Sequence, residues 1–182
     1  MNKILTPRFW LAFSFVIAGV VMRIAPHPWN FAPVGAIALF GGAHFERRAL
    51  GIVMPLLTMF AGDSLLQLLG GNGYHSLMPV VYATYALIAV IGILIRDRRG
   101  SVAAVGAAAL MSATLFFLTT NFAVWAMETG YPKTAAGLIA CYVAAIPFFG
   151  NTLASDLLFT AIFFGLYALS ERKVPLFAKA GE

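Results

Sequence analysis

The feature that most limits this chain is a series of long apolar runs with almost no charge inside them. Residues 49–69, 79–95 and 102–120 hold one charged side chain between them, Asp63. Each run approaches the about 20 residues that a helix needs to cross a bilayer. Glu46-Arg47-Arg48, Gly70-Gly71-Asn72-Gly73 and Arg96-Asp97-Arg98-Arg99 separate or flank them. A soluble domain carries about 25% charged residues; this chain has 10%, against 61% hydrophobic. Too little polar surface remains to cover a globule in water, and intrinsic disorder needs the opposite composition. The expected class is therefore all-α, one integral membrane helix bundle over residues 1–182.

The predicted spans are residues 9–25, 31–44, 49–69, 79–95, 102–120 and 152–169. The first ends where two prolines bracket His27, since Pro26 and Pro28 remove backbone donors and resist helix. The stretch 135–169 is too long for one span and too short for two. Pro147 and Gly150 are expected to split it, with Asn151 capping a new helix, so 135–149 reads as a partial or surface-lying helix. With both termini cytoplasmic, six spans put Lys3, Arg8, Arg47, Arg48, Arg96, Arg98, Arg99, Arg172, Lys173 and Lys179 inside. Of the 12 Lys and Arg residues, only Arg23 and Lys133 then lie outside. Seven spans would place the C-terminal cluster on the wrong side. The excess of cations reports orientation rather than a nucleic-acid partner, and a cleaved signal peptide is not expected, since after Lys3 and Arg8 no small-x-small site is followed by a soluble mature chain.

Polar side chains gather towards the outer face. Once inner loops take Glu46, Asp97, Glu171 and Glu182, three acids remain: Asp63, Glu128 and Asp156. An ionisable group within a span costs about 2.5–3.5 kcal/mol on insertion scales and faces a cavity or a partner. The outer segments add Arg23, His27, Trp29 and Asn30, then Asn72, Tyr74 and His75, then Asn121, Trp125, Tyr131 and Asn151. This asymmetry describes an outward-facing pocket roofed by aromatic loops. Blander readings stand beside it: Trp29, Tyr74, Trp125 and Tyr131 suit an interfacial aromatic belt. Asp63 with Gln67 suits cross-helix hydrogen bonding, Asp156 suits a helix-dipole role in a first turn, and Arg23 suits snorkelling to outer headgroups. Cys141, the only cysteine, reads as a packing residue. The small-residue ladders Ser14-x-x-x-Ala18 and Ala32-x-x-x-Ala36 permit close helix approach, within the chain or against a partner.

The chain has no G-x-x-x-x-G-K-[ST], so it has no ATP site of that kind, and neither H-E-x-x-H nor G-x-S-x-G. No enzymatic activity and no resident cofactor are expected. An intramembrane acid–base enzyme using His27 or His75 with Asp63 finds no nucleophile to support it.

Six stretches carry a resemblance: Arg23-x-x-Pro-His-Pro-x-Asn-Phe-x-Pro-Val-Gly-Ala36, Ala38-Leu-Phe-Gly-Gly42, Thr120-Asn-Phe-x-Val-Trp125, Tyr131-Pro-x-Thr134, Gly137-Leu-x-x-Cys-Tyr142 and Pro147-Phe-Phe-x-Asn-Thr-Leu153. Together they resemble an uncharacterised family of small bacterial membrane proteins. The six-span plan is also similar to the substrate-binding S components of energy-coupling-factor (ECF) vitamin transporters, nearest to the solitary cobalamin type (BtuM-type). That resemblance implies a bacterial inner-membrane protein that takes up a small vitamin-like molecule, a corrinoid being one candidate, and docks onto a coupling subunit with ATPases. His27 and Asp63 match a histidine after the first helix and an aspartate in the third; the cobalt-ligating cysteine of that type is replaced by His75. No metal site is expected unless the ligand is a corrinoid, for which His75 or His27 is the ligand. The cobalt and nickel S components carry a histidine after the initiator Met, where this chain has Asn2.

The expected binding residues are Arg23, His27, Asn30, Asp63, His75, Asn121, Trp125, Glu128, Asn151 and Asp156, and Ser14, Ala18, Ala32 and Ala36 are the candidate partner-docking positions. The alternative is a structural scaffold of a cell-envelope complex, similar in plan to rod-shape proteins of the MreD kind.

Overall fold

A computed structural model of the protein describes residues 7–24 and 28–173. Among them are six α-helices and no strand: α1 (Pro7–Ile24), α2 (Val34–His44), α3 (Arg48–Leu68), α4 (Met78–Leu94), α5 (Val102–Met127) and α6 (Ala135–Lys173), with a 3₁₀ turn at Arg96–Arg98. Their starts follow local chemistry. Pro79 occupies the first turn of α4, where its missing N–H costs nothing. Ser101 caps α5 by accepting from the Ala104 amide. Gly70, at φ +84°, takes the left-handed turn that ends α3.

α3, α5 and α6 are long and apolar enough to cross a membrane. The short helix α2 is the hub: it touches each of the other five helices, and Val34 through Ala43 are all buried. Its small residues make this possible. A Cβ added at Gly42 would fall on the Ala89 carbonyl of α4, and one at Gly92 of α4 would fall on the Leu39 carbonyl of α2. The backbones of α2 and α4 therefore meet directly, in the manner of small-residue contacts between membrane helices. Phe40 adds the apolar mass, with edge-on rings from Phe163, Phe164 and Tyr167 of α6.

A helix buried on every side leaves its terminal amides and carbonyls without water. Here other elements supply the partners. At the N-terminus the Asp156 carboxylate accepts from the Ala36 amide, and Ser155 Oγ donates to the Ala32 carbonyl just before the helix at 2.8 Å. At the C-terminus the Arg96 guanidinium donates to the Gly42 and Phe45 carbonyls, and Arg99 reaches Ala43 O at 3.4 Å. An acid thus sits at the positive end of α2 and two arginines at its negative end, the arrangement that a helix dipole favours.

Three expectations need correction. The run 31–44 forms only an 11-residue helix, about 16 Å long, because Pro33 and the turn at residues 29–30 before it hold off helix until Val34. The stretch 135–169 does not divide into a surface helix and a span: α6 continues unbroken for 39 residues through Pro147. A proline forfeits one backbone bond, a loss that membrane helices tolerate where neighbouring groups or local adjustment re-satisfy the freed carbonyl. Asn151 caps nothing; it lies inside α6 and its Nδ2 donates to the Trp29 carbonyl at 2.9 Å. Finally, α5 runs on past residue 120 to Met127, with Asn121 returning its side-chain amide to Phe117 O at 2.8 Å.

Candidate functional site: a cavity at the N-terminus of a buried helix

Where α2 begins, the bundle leaves a cavity of about 570 Å³. Segments from both halves of the chain build it. The turn before α2 contributes Trp29, Asn30 and Ala32; the loop between α3 and α4 contributes His75; α4 and α5 contribute Tyr85, Phe116, Thr120 and Asn121; α6 contributes Phe148, Thr152 and Asp156. Asn30 adopts φ 60°, a left-handed conformation that asparagine tolerates better than most side chains, and this turn brings Trp29 and Ala32 to the wall. Aromatic pairs stiffen the sides: Tyr85 packs on Phe116 at 5.1 Å and Phe117 on Phe149 at 4.7 Å between ring centroids.

The polar groups of the wall lean towards accepting. Thr120 and Thr152 donate their hydroxyls back to Phe116 O at 2.7 Å and Phe148 O at 3.1 Å, which leaves oxygen lone pairs facing outward. Asn121 spends an amide hydrogen on Phe117 O and keeps its carbonyl oxygen. Asp156, 3% exposed, forms the floor. No Lys or Arg lies on the described wall.

Of the expected binding residues, Asn30, His75, Asn121 and Asp156 line this cavity. His27 lies outside the described residues, and so does the side chain of Arg23. Asp63 is 1% exposed but sits between α3 and α4, where it accepts from the Tyr82 hydroxyl at 2.7 Å. That is the cross-helix hydrogen bonding expected of Asp63, while Gln67, one turn on, accepts the Gly73 and Tyr74 amides through Oε1 and shapes the loop that carries His75. Glu128 accepts from Ser76 Oγ at 2.7 Å, tying the end of α5 to that same loop. Trp125 Nε1 donates to Pro132 O at 3.0 Å, and Lys133 caps α5 through the Trp125 and Glu128 carbonyls. Trp125, Glu128 and Asn151 therefore sit in the framework around the cavity rather than on its wall. Of the expected docking positions, Ala36 fails on placement, being 0% exposed and deep inside its own chain, while Ala32 is half-buried on the cavity wall. Ser14 and Ala18 are exposed on α1.

The sequence expectation missed five aromatic wall residues in particular: Tyr85, Phe116, Phe117, Phe148 and Phe149. In sequence they sit within apolar runs and resemble lipid-facing side chains. The one available signal is that Phe116-Phe117 and Phe148-Phe149 are adjacent pairs followed, four residues on, by the polar residues Thr120, Asn121 and Thr152. Among the described residues no three His, Cys, Asp or Glu side chains are grouped as a metal ion would require.

The chain matches the model of a family of unknown function (DUF6580) over residues 3–177, and it belongs to that family. No curated protein and no solved structure matches it.

Proposed function

We propose that this DUF6580 member is a membrane-embedded binding protein that captures a small, vitamin-like molecule from outside the cell, in the manner of an ECF S component of the bacterial inner membrane. The observation that carries the reading is the cavity at the start of α2. Non-helical backbone at membrane depth is tolerated where it is buried in protein or lines a cavity, and helices broken at mid-depth mark the binding sites of transporters. Here the non-helical segment 28–33 and the half-length helix α2 together make the second crossing, and the cavity lies at their junction. Both termini are cytoplasmic in this reading, so the arginines at the far end of α2 face inward and the cavity faces out. Its volume falls within the about 300–1,000 Å³ of small-molecule sites. The aromatic walls and exposed acceptors suit a flat ring bearing N–H or O–H donors; a corrinoid, held through His75, is the larger alternative. The exposed Ser14 and Ala18 ladder on α1 is the candidate face for a coupling subunit.

The experiment is purification in mild detergent, release of any bound small molecule for mass spectrometry, and a thermal-shift panel of vitamins that includes cobalamin. The expected result is one compound that co-purifies or raises the melting temperature, with Asn121→Leu and Phe117→Ala weakening its binding while the protein still folds. A ligand-free preparation that responds to no compound, yet retains a defined set of envelope proteins, favours the scaffold alternative instead.

A further inference from the structure

A second groove, of about 360 Å³, runs between α5 and α6 from Leu157, next to the cavity's Asp156, away towards Arg99 and Ala168. Gly106 and Ala109 of α5 and Ala161 and Gly165 of α6 line it, with Arg99 at one end and Thr160 near the other. A Cβ added at Gly106 or Gly165 would meet nothing within 4 Å, so these glycines leave a groove open rather than admit a neighbouring backbone. Thr160 is 3% exposed, and its Oγ1 has no hydrogen-bond partner among the described residues. Thr58, Thr114 and Thr120 all return theirs to the carbonyl four residues back. It is the two open glycine positions that leave space along the groove which the described residues do not fill.

We infer that this groove holds one acyl chain of an anionic phospholipid, with the lipid phosphate against Arg99. Two observations select this occupant. The first is length. From Leu157 to Ala168, the limits of the groove on α6, the helix rises about 16 Å. That is close to half of the about 30 Å hydrocarbon core, so the groove has the depth of one leaflet. A partner's transmembrane helix would need a track through both. The second is charge. The mouth carries Arg99 beside Arg96 and Arg98, with Asp97 as the only acid of the turn, and the first turn of α5 has no acidic residue. A guanidinium next to a helix N-terminus is well suited to a phosphate. Among the described residues Arg99 makes one long bond, to Ala43 O, which leaves most of its donors available there.

This inference rests on the membrane reading but not on the transport reading. Its test is native mass spectrometry of the full chain in detergent with phosphatidylglycerol and phosphatidylcholine of identical acyl chains. The wild type is expected to retain phosphatidylglycerol about fivefold over phosphatidylcholine, the effect of one basic residue beside an anionic lipid. Arg99→Gln is expected to bring that ratio close to one, and Gly165→Leu, by filling the groove, to remove the last-lost adduct of both lipids with helical circular dichroism unchanged. Should Gly165→Leu not fold, Ala161→Leu supplies the same readout. Equal retention of the two lipids by the wild type, or a ratio that Arg99→Gln leaves intact, overturns the proposal. A dimer that Gly165→Leu abolishes also overturns it, by giving the groove to a second copy of the chain. Failure of the membrane reading itself shows separately, as release of the native chain from membranes by alkaline carbonate before any lipid is added.

Discussion

Asp156 illustrates how one side chain serves the fold and borders the cavity together. A carboxylate buried this deeply costs several kcal/mol unless its oxygens are partnered, and the Ala36 amide at the positive end of α2 is such a partner. The space for it comes from Gly35, where a Cβ would press against both carboxylate oxygens. Gly35→Ala is therefore expected to push Asp156 off the Ala36 amide and to cost about 1.5–3 kcal/mol, the worth of a hydrogen bond to a charged group. Asp156→Leu, which offers the amide no acceptor, should cost a similar amount. Because both substitutions remove one interaction, the double variant should fall well short of additive, with a coupling of at least about 1 kcal/mol in denaturant unfolding; strict additivity would show that the two sites are independent. The sequence makes Asp156 conspicuous as an acid in an apolar run. It does not show whose amide the acid meets, since the adjacent Ser155 reaches a carbonyl 123 residues away. Local spacing favours a role at the start of Asp156's own helix, whereas the dipole it offsets belongs to α2.

At the scale of the elements, the boundaries of α3 and α4 were readable within a residue, because strong breakers and a proline at a helix start bound them. The interruption before α2 and the continuity of α6 were not. Both depend on what surrounds the segment: Pro33 precedes a helix whose ends are satisfied by α6 and the Arg96–Arg98 turn, and Pro147 sits in a helix long enough to lose one bond. The glycines of α2 and α4 give this a measurable form. Gly42→Ala and Gly92→Ala each place a methyl on the partner helix's carbonyl, so each is expected to destabilise by about 1–3 kcal/mol, as overpacking does. Gly150→Ala, with nothing within 4 Å of the new methyl, is expected to be neutral or to stabilise by up to about 1 kcal/mol through helix propensity. Thermal unfolding of the three variants in one detergent checks the contrast in sign. Equal effects at all three positions would mean that α2 and α4 do not meet backbone to backbone.

For the whole molecule, the basic clusters answer two questions at once. Read along the sequence, they orient the chain by the positive-inside rule. In the structure, Arg96 and Arg99 also hold the carbonyl end of α2, so charges that the positive-inside rule counts also anchor the central helix. The half-length α2 makes the orientation a sharper question than the sequence alone poses. If segment 28–33 and α2 together cross the bilayer, Arg47 and Arg98 share one side, and Asn72 and Thr129 share the other. If α2 instead enters and leaves by the outer face, every later loop inverts relative to the first helix, so that Arg47 and Arg98 lie outside and Asn72 and Thr129 inside. Single cysteines at these four positions in a Cys141→Ala background separate the two cases by labelling with a membrane-impermeant maleimide on intact cells. Asn72→Cys and Thr129→Cys are expected to label directly, and Arg47→Cys and Arg98→Cys only after permeabilisation. Labelling of Arg47→Cys on intact cells would leave the cavity without a crossing beneath it, and the outward-facing site would have to be abandoned along with the six-crossing plan.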